Sequence, residues 1–315
     1  MQVYSADDVH ARLPWPVLAD ALERAYRAGA QVPLRHTHAL SPSDSLLLMP
    51  AWNDTLIVTK LVTVMPAAAH TVQATLLVLD RSTGEPLACL DGEAVTLRRT
   101  AAVSAVAARH LARADARRFL LVGTGRLAPW MARAHFALRP GLQEVAVWGR
   151  DAAAARALAK SLALEGLPAV AVQDLPSAAQ AADIVCCATT ATAPVVQGAW
   201  LRAGTHLDLV GAFRPHMREV DDAAVLRARI VVDGPGALVE GGDLVQPLAS
   251  GCITRAHVAG DLADLLCGRL PARPELPQDS QRDPQRDPPQ DLSLFKSVGM
   301  ALQDLAAAQA VLASR

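Results

Sequence analysis

The sequence predicts an α/β protein in two parts, an α+β segment followed by a parallel sheet covered by helices. From Phe119 onward, short apolar runs alternate with helical segments, the rhythm of a parallel sheet buried on both faces. Before that point, strand-like runs follow one another across short turns, the pattern of a mostly antiparallel sheet. At 315 residues and 51% hydrophobic composition the chain can fill about two domain cores.

Residues 7–29 carry Val9, Leu13, Val17, Leu18, Leu22 and Tyr26 at helical spacing and are expected to form an amphipathic helical region. Residues 46–49 and 56–64 read as two strands around a turn at 50–54. A third strand over 73–79 reaches a hairpin turn at Asp80-Arg-Ser-Thr-Gly84, and a fourth follows over 86–91. An alanine-rich helix is expected over 94–112. The parallel strands are then expected at 119–122, 144–148, 169–172, 184–188, 206–210 and 230–232, with helices over 126–138, 151–164, 175–181 and 221–228. Residues 271–291 hold six prolines and the tandem runs Gln281-Arg-Asp-Pro284 and Gln285-Arg-Asp-Pro288. Such a polar stretch cannot pack a core and is expected to be a disordered surface loop. An apolar helical pattern resumes over 292–312.

Charge and cysteine usage narrow the class. A net charge of −1 supplies no attraction for nucleic acid or an acidic membrane. No run reaches the ~18 apolar residues of a membrane span, and the N-terminal Met1-Gln-Val-Tyr-Ser-Ala-Asp-Asp has neither the basic start nor the apolar stretch of a secretory leader. The five cysteines are odd in number and lack CxxC spacing, so reduced thiols in a cytoplasmic protein are expected and no metal site is. Of the 30 basic residues only Lys60, Lys160 and Lys296 are lysines.

The strand at 119–122 runs into Gly123-Thr124-Gly125-Arg126-Leu127-Ala128 and then a helix. This is GxGxxA in a strand–turn–helix context, the dinucleotide-binding fingerprint of a Rossmann domain: one glycine for the tight turn, one for close approach of a pyrophosphate, and a small residue for helix-on-strand packing. The next strand ends Trp148-Gly149-Arg150-Asp151. An acidic residue there would favour NAD(H); Arg150 can pair with a 2′-phosphate, so NADP(H) is the preferred expectation and NAD(H) the alternative. Asp151 can equally be a helix N-cap and Arg150 a solvated charge.

A second set of residues suits a small anion. Lys60 sits between apolar residues of a strand, where an ammonium needs a partner or must snorkel to water. Arg98 and Arg99 near the start of the alanine-rich helix, and Arg35 in Pro33-Leu-Arg-His-Thr-His38, offer guanidinium forks for a carboxylate. His36 and His38 lack acidic or cysteine companions nearby, which argues against a metal pair. Glu240, in Leu238-Val-Glu-Gly-Gly-Asp243, lies past the last parallel strand and is a candidate acid or a plain loop residue.

Together these features resemble the ornithine cyclodeaminase/mu-crystallin family over nearly the whole chain. The likeness rests on Leu48-Met-Pro-Ala51, Thr59-Lys-Leu-Val-Thr63, Ser82-Thr-Gly-Glu-Pro86, Arg99-Thr-Ala-Ala102, Gly123-Thr-Gly125, Arg218-Glu-Val-Asp221, Glu240-Gly-Gly-Asp243 and Phe295-Lys-Ser-Val-Gly-Met300. The resemblance implies a homodimer. Its substrate-binding and dimerisation domain would span 1–112 and 292–315, completed by the C-terminal helix, and its Rossmann domain 113–270. It implies Arg35, Lys60 and Arg99 as binders of a substrate carboxylate, and Lys60 and Glu240 as the catalytic candidates. On the cofactor side it implies Thr71, Thr100, Gly123, Thr124, Gly125, Arg126, Leu127, Gly149, Arg150, Asp151, Ala188, Thr189, Thr190, Val210, Gly211, Phe295 and Lys296.

Two positions depart from true ornithine cyclodeaminases. Leu47 stands where they carry a glutamate, and Phe213 where they carry a catalytic aspartate. A usual glutamine of the glycine-rich turn is also replaced, by Arg126-Leu127. The expectation is therefore NAD(P)H-dependent reduction of a small imino acid, a cyclic ketimine such as pyrroline- or piperideine-2-carboxylate. Ornithine cyclodeamination, or a silent protein that holds NADPH and a small ligand, are the alternatives.

Overall fold

Residues Met1–Val103 with Gly299–Arg315 make one unit and Ser104–Val298 a second; the computed structural model describes residues 1–69, 71–272 and 291–314 of them. The first unit contains β1 (Gln2–Tyr4), α1 (Ala6–Arg12), α2 (Trp15–Ala28), β2 (His36–Ala39), β3 (Ser45–Trp52), β4 (Leu56–Val64), β5 (Val72–Asp80), β6 (Pro86–Asp91) and the start of α3 (Gly92–Leu111), within which the unit boundary falls. Its sheet has the order β1-β6-β5-β4-β3-β2. Every pairing in it is antiparallel except β1 with β6.

The expected single helical region over 7–29 is two helices. Ser5 opens α1 with a capping box to Asp8, and Pro14 caps α2; a proline has no N–H to give and disfavours helical backbone at the residue before it, so Leu13 leaves the helix. The expected turn at 50–54 begins later, because β3 continues through Pro50 to Trp52. β2 pairs only with 45–48, so Pro50 lies beyond the doubly paired part of β3, where a missing N–H is tolerated. The short strands β1 and β2 carry too little alternation to be seen in sequence.

The second unit is an eight-stranded parallel sheet. In chain order it holds β7 (Arg118–Val122), α4 (Ala128–Leu138), β8 (Glu144–Trp148), α5 (Ala152–Leu164), β9 (Ala169–Ala171), α6 (Leu175–Ala181), β10 (Ile184–Cys187), β11 (His206–Leu209), α7 (Asp222–Arg227), β12 (Ala228–Val232), α8 (Ala237–Glu240), α9 (Gly242–Ser250), β13 (Val258–Asp261), α10 (Leu262–Leu266) and β14 (Leu292–Lys296). The strand order β13-β12-β14-β11-β10-β7-β8-β9 reverses direction of growth between β7 and β10, the switch point at which a doubly wound sheet opens a crevice. Strands β10, β11 and β12 are buried along their whole length, as expected of strands covered on both faces.

The expected helix over 292–312 is half wrong. Leu292–Lys296 is a strand that inserts between β11 and β12, and only Ala301–Ala313, α11, is helical. Gly299, at φ +79°, turns the chain between the two. The unit boundary on this side therefore lies at 298/299, seven residues after the expected one, because β14 finds hydrogen-bond partners on both edges only in the parallel sheet. α11 lies on β3, β4 and α2 within the first unit. The Pro-rich stretch, expected to be disordered, lies outside the described residues over 273–290.

Candidate active site

In the first unit, alternation along β4 sends Leu56, Val58 and Lys60 to the face under α11. Lys60 is only 2% exposed; snorkelling is ruled out, and its partner is Asp304 of α11. The ammonium lies 3.0 Å from Asp304 Oδ1 and 2.9 Å from Oδ2, and donates to Thr96 Oγ1 at 3.3 Å. Arg99, on α3 one turn after Thr96, donates through Nε to the same Asp304 Oδ1 at 3.2 Å and through Nη1 to Gln303 Oε1 at 2.8 Å. Gln303 in turn donates to the Tyr26 hydroxyl at 2.9 Å. Arg35 donates to the Gly299 carbonyl at 2.8 Å.

Lys60 and Arg99 thus share one buried carboxylate, and Arg35, held on the Gly299 carbonyl, is near enough to act on Lys60 through its charge. Burial is the main force that lowers the Lys60 pKa, to about 8; Asp304 opposes it, while Arg99 and Arg35 add to it. The cluster carries an excess of positive charge, an arrangement that suits a further anion. Gly299 is required here twice over. Its φ suits glycine, and a Cβ on it would meet the guanidinium of Arg99.

Arg98 turns away from this group. It donates to the His10 carbonyl at 2.7 Å and lies over the Trp15 ring, so its role is to pin α1 and α2. His36 and His38 lie exposed on the edge strand β2. Thr71, also exposed, precedes β5, and Thr100 is buried on α3.

In the second unit, Gly123 ends β7 at φ +123°, and a Cβ on it would come within 2.5 Å of the Ala188 carbonyl oxygen. A Cβ on Gly149 would meet Thr124 Cγ2 at 2.6 Å. The strand end at Ala188-Thr189 is thereby drawn against the glycine turn, and Gly211 packs in turn against Thr189. Gly125 faces open space, and α4 begins at Ala128 with no side chain capping Leu127 or the amides behind it. A backbone cradle with free space above Gly125 and an uncapped helix N-terminus fits a dinucleotide pyrophosphate. Arg126 is exposed, Leu127 half-buried, and Arg150 exposed at the end of β8. Asp151 N-caps α5, accepting from the Ala153 amide at 2.8 Å.

Beneath this cradle lies a buried network that the sequence reading missed. Glu219 accepts from the Thr189 amide and hydroxyl at 2.7 and 2.9 Å, and from the Gly211 and Ala212 amides at 2.8 and 3.1 Å. Asp243 accepts from the Glu219 and Val220 amides at 2.7 and 3.2 Å and from Lys296 Nζ at 3.0 Å. Burial first, then the Asp243 carboxylate, push Glu219 up to about 7, against Lys296 and the Thr189 donors. Lys296 is fully buried in this ion pair, so in this chain it braces the crevice rather than presenting its charge at the surface. Phe295 is buried in β14. Glu240 is the last residue of α8, half-buried, and so stands on a helix end rather than in a loop. The motif runs around Glu219, Asp243 and Lys296 were visible in sequence, but nothing there linked them.

One further buried trio, His135, Cys186 and Asp208, brings possible metal-ligand atoms within 4.8 Å of one another. His135 Nε2 and Asp208 Oδ2 are hydrogen-bonded at 3.0 Å, and burial raises the Cys186 thiol well above its usual range. The His–Asp pair is only partly satisfied, because His135 Nδ1 and Asp208 Oδ1 have no hydrogen-bond partner among the described residues.

The ornithine cyclodeaminase/mu-crystallin family model matches residues 2–314. A Delta(1)-pyrroline-2-carboxylate reductase of Paracoccus denitrificans is 38% identical over 96% of this chain and 94% of its own. Among solved structures, the Delta(1)-pyrroline-2-carboxylate reductase of Thermococcus litoralis in complex with NADH and L-proline superposes with a TM-score of 0.89 at 29% identity, over 99% of this chain and 96% of that one. An archaeal alanine dehydrogenase dimer with bound NAD gives a TM-score of 0.88 at 26% identity, over 99% and 94%.

Proposed function

The chain belongs to the ornithine cyclodeaminase/mu-crystallin family, and from that premise we propose that it reduces a small cyclic ketimine carboxylate, pyrroline-2-carboxylate or its six-membered homologue, to the amino acid. The observation that carries this reading is the group of three cations in which Lys60 and Arg99 share the one carboxylate of Asp304 while Arg35 is held beside them on the Gly299 carbonyl. It leaves net positive charge in a dry environment for a substrate carboxylate. The nicotinamide, when bound, supplies the hydride for the imine carbon. The protein's part is to hold the carboxylate so that this carbon is presented in one orientation. The imine nitrogen needs a proton, and Lys60 is the donor this unit offers for it.

Phe213 is 42% exposed and stacks under Arg214, and Leu47 lies half-buried in β3. Neither can carry a proton, which disfavours release of ammonia from ornithine. Following NADPH oxidation with both cyclic imino acids, and ammonia release from ornithine, tests the assignment. Turnover of an imino acid is the expected result. Ammonia release, or cofactor binding without either reaction, overturns it.

Arg150 supports a preference for NADPH. Arg150→Ala is expected to lower kcat/KM with NADPH by roughly ten- to a hundredfold, the worth of a charge-assisted pair, while the NADH value stays within about twofold. An equal loss with both cofactors would remove Arg150 from cofactor selection.

A homodimer built on the first unit's sheet is the proposed assembly. The face opposite Lys60 carries Leu48, Pro50, Ile57, Leu61 and Leu77 half-buried or exposed, with Leu61 at 37%, and apolar sheet faces of this kind need a cover. Leu61→Asp should convert the species seen by light scattering from dimer to monomer; an unaltered mass would place the interface elsewhere. All five cysteines are free, which suits a reducing compartment such as the cytoplasm. Among the described residues no helix is long and apolar enough to cross a membrane.

A further inference from the structure

The carboxylate-binding cations come from distant parts of the chain, Arg35 ahead of β2, Lys60 on β4 and Arg99 on α3, with Lys60 tied to α3 by a long 3.3 Å bond to Thr96 Oγ1. The segment that touches all three is the chain's return at 299–304. The Gly299 carbonyl holds Arg35, Gln303 holds one arm of Arg99, and Asp304 sits between Lys60 and Arg99. Asp304 is fully buried and lies on a helix whose other side chains in this stretch are apolar or amide. An ionised carboxylate there is costly unless paired. The two cations that pair it are the two that must hold still.

We propose that Asp304 is the positioning residue of the substrate-carboxylate site, an internal counter-ion that fixes Lys60 and Arg99 at one separation and keeps Lys60 charged. This rests on the reading of that cluster as the carboxylate site. Asp304 does not meet the substrate. It accepts hydrogen bonds from one side of each cation and leaves their remaining N–H groups for the ligand. The charged groups facing Lys60 are Asp304 from α11, Arg99 from α3 and Arg35, so Asp304 is the only one of them that favours the ammonium.

The three lysines of the chain make the test direct. Lysine labelled with ¹³C at Cε gives three signals. Lys160 is exposed, and Lys296 is paired with Asp243. In the wild type Lys60 is expected to titrate near 8, lowered chiefly by its burial. In Asp304→Asn its titration is expected to fall by about one pH unit or more, the KM for the imino acid to rise at least about tenfold, and the affinity for NADPH to stay within about twofold. A Lys60 titration unchanged by Asp304→Asn overturns the proposal, and this readout needs no turnover, so failure of the proposed reaction is recognised separately from failure of the positioning role. If Asp304→Asn does not fold, Asp304→Glu keeps the charge and shifts it by one carbon. It should raise KM while Lys60 still titrates near its wild-type value, and an unaltered KM would refute the positioning role.

Discussion

Replacing Lys60 by methionine is expected to lower kcat/KM for the imino acid by roughly a hundred- to a thousandfold, with the Kd of NAD(P)H held within about twofold. Methionine keeps the length and apolar stem and removes only the ammonium. What is lost is a buried charge contact to the substrate carboxylate: truncating one partner of such a pair costs about 2–5 kcal/mol of binding, and the stated range is the middle of that, about 3–4 kcal/mol, at about 1.4 kcal/mol per decade. The cofactor should be indifferent, because the glycine turn that fits its pyrophosphate belongs to the other unit.

The same residue sets a pH limb. Its pKa is lowered to about 8, chiefly by burial, so the ammonium is present below that pH and is lost as pH rises through it. Binding of a substrate carboxylate therefore holds through neutral pH and weakens above about 8. kcat/KM, which reports the free enzyme, is expected to fall about tenfold per pH unit beyond that point. In Lys60→Met this limb should vanish from the pH–rate profile. A variant that keeps both the wild-type kcat/KM and the limb would take Lys60 out of the site.

Gly123→Ala is expected to be the most damaging change on the cofactor side. The backbone there is at φ +123°, which costs a non-glycine residue about 1–3 kcal/mol. The new Cβ would also press on the Ala188 carbonyl at 2.5 Å. That contact is backbone against backbone across the β7–β10 pair and has no flexible side chain to yield. Overpacking of this kind adds about 1–3 kcal/mol. Together these should lower Tm by about 5–15 °C and weaken NAD(P)H binding by at least about tenfold. Gly125→Ala is the contrast: its φ is not positive and its Cβ would meet nothing within 4 Å. That variant should keep its Tm within about 2 °C and lose only cofactor affinity, measured by fluorescence titration. A Tm for Gly123→Ala equal to the wild type's would mean the strand ends are not held as tightly as the geometry requires.

The parallel sheet was legible because its strands are short apolar runs set between helices, a pattern that local chemistry alone produces. Its last strand was not. Leu292–Lys296 reads as the start of an apolar helix, and it becomes a strand only because β11 and β12 leave a slot whose hydrogen bonds it fills. The glycine turn could be read as a cofactor site from residue types and spacing. Lys60 could be suspected, since an ammonium among apolar residues asks for a partner, yet the partner lies 244 positions away. Glu219, Asp243 and Lys296 were likewise present in recognisable runs, but only folding makes one network of them.

The sequence by itself determined the fold class and the glycine turn, because these depend on periodicity, on residue type and on spacing within single elements, and its motif runs together carried the resemblance to the family. The tertiary structure decided where the chain passes from one unit to the other, which of Arg98 and Arg99 turns inward, and that Asp304 is the carboxylate between Lys60 and Arg99. The physical reason is the same in each case. The cost of burying a charge or an unpaired backbone group is met by whichever partner the fold brings within about 3 Å, and along the chain that partner can be anywhere.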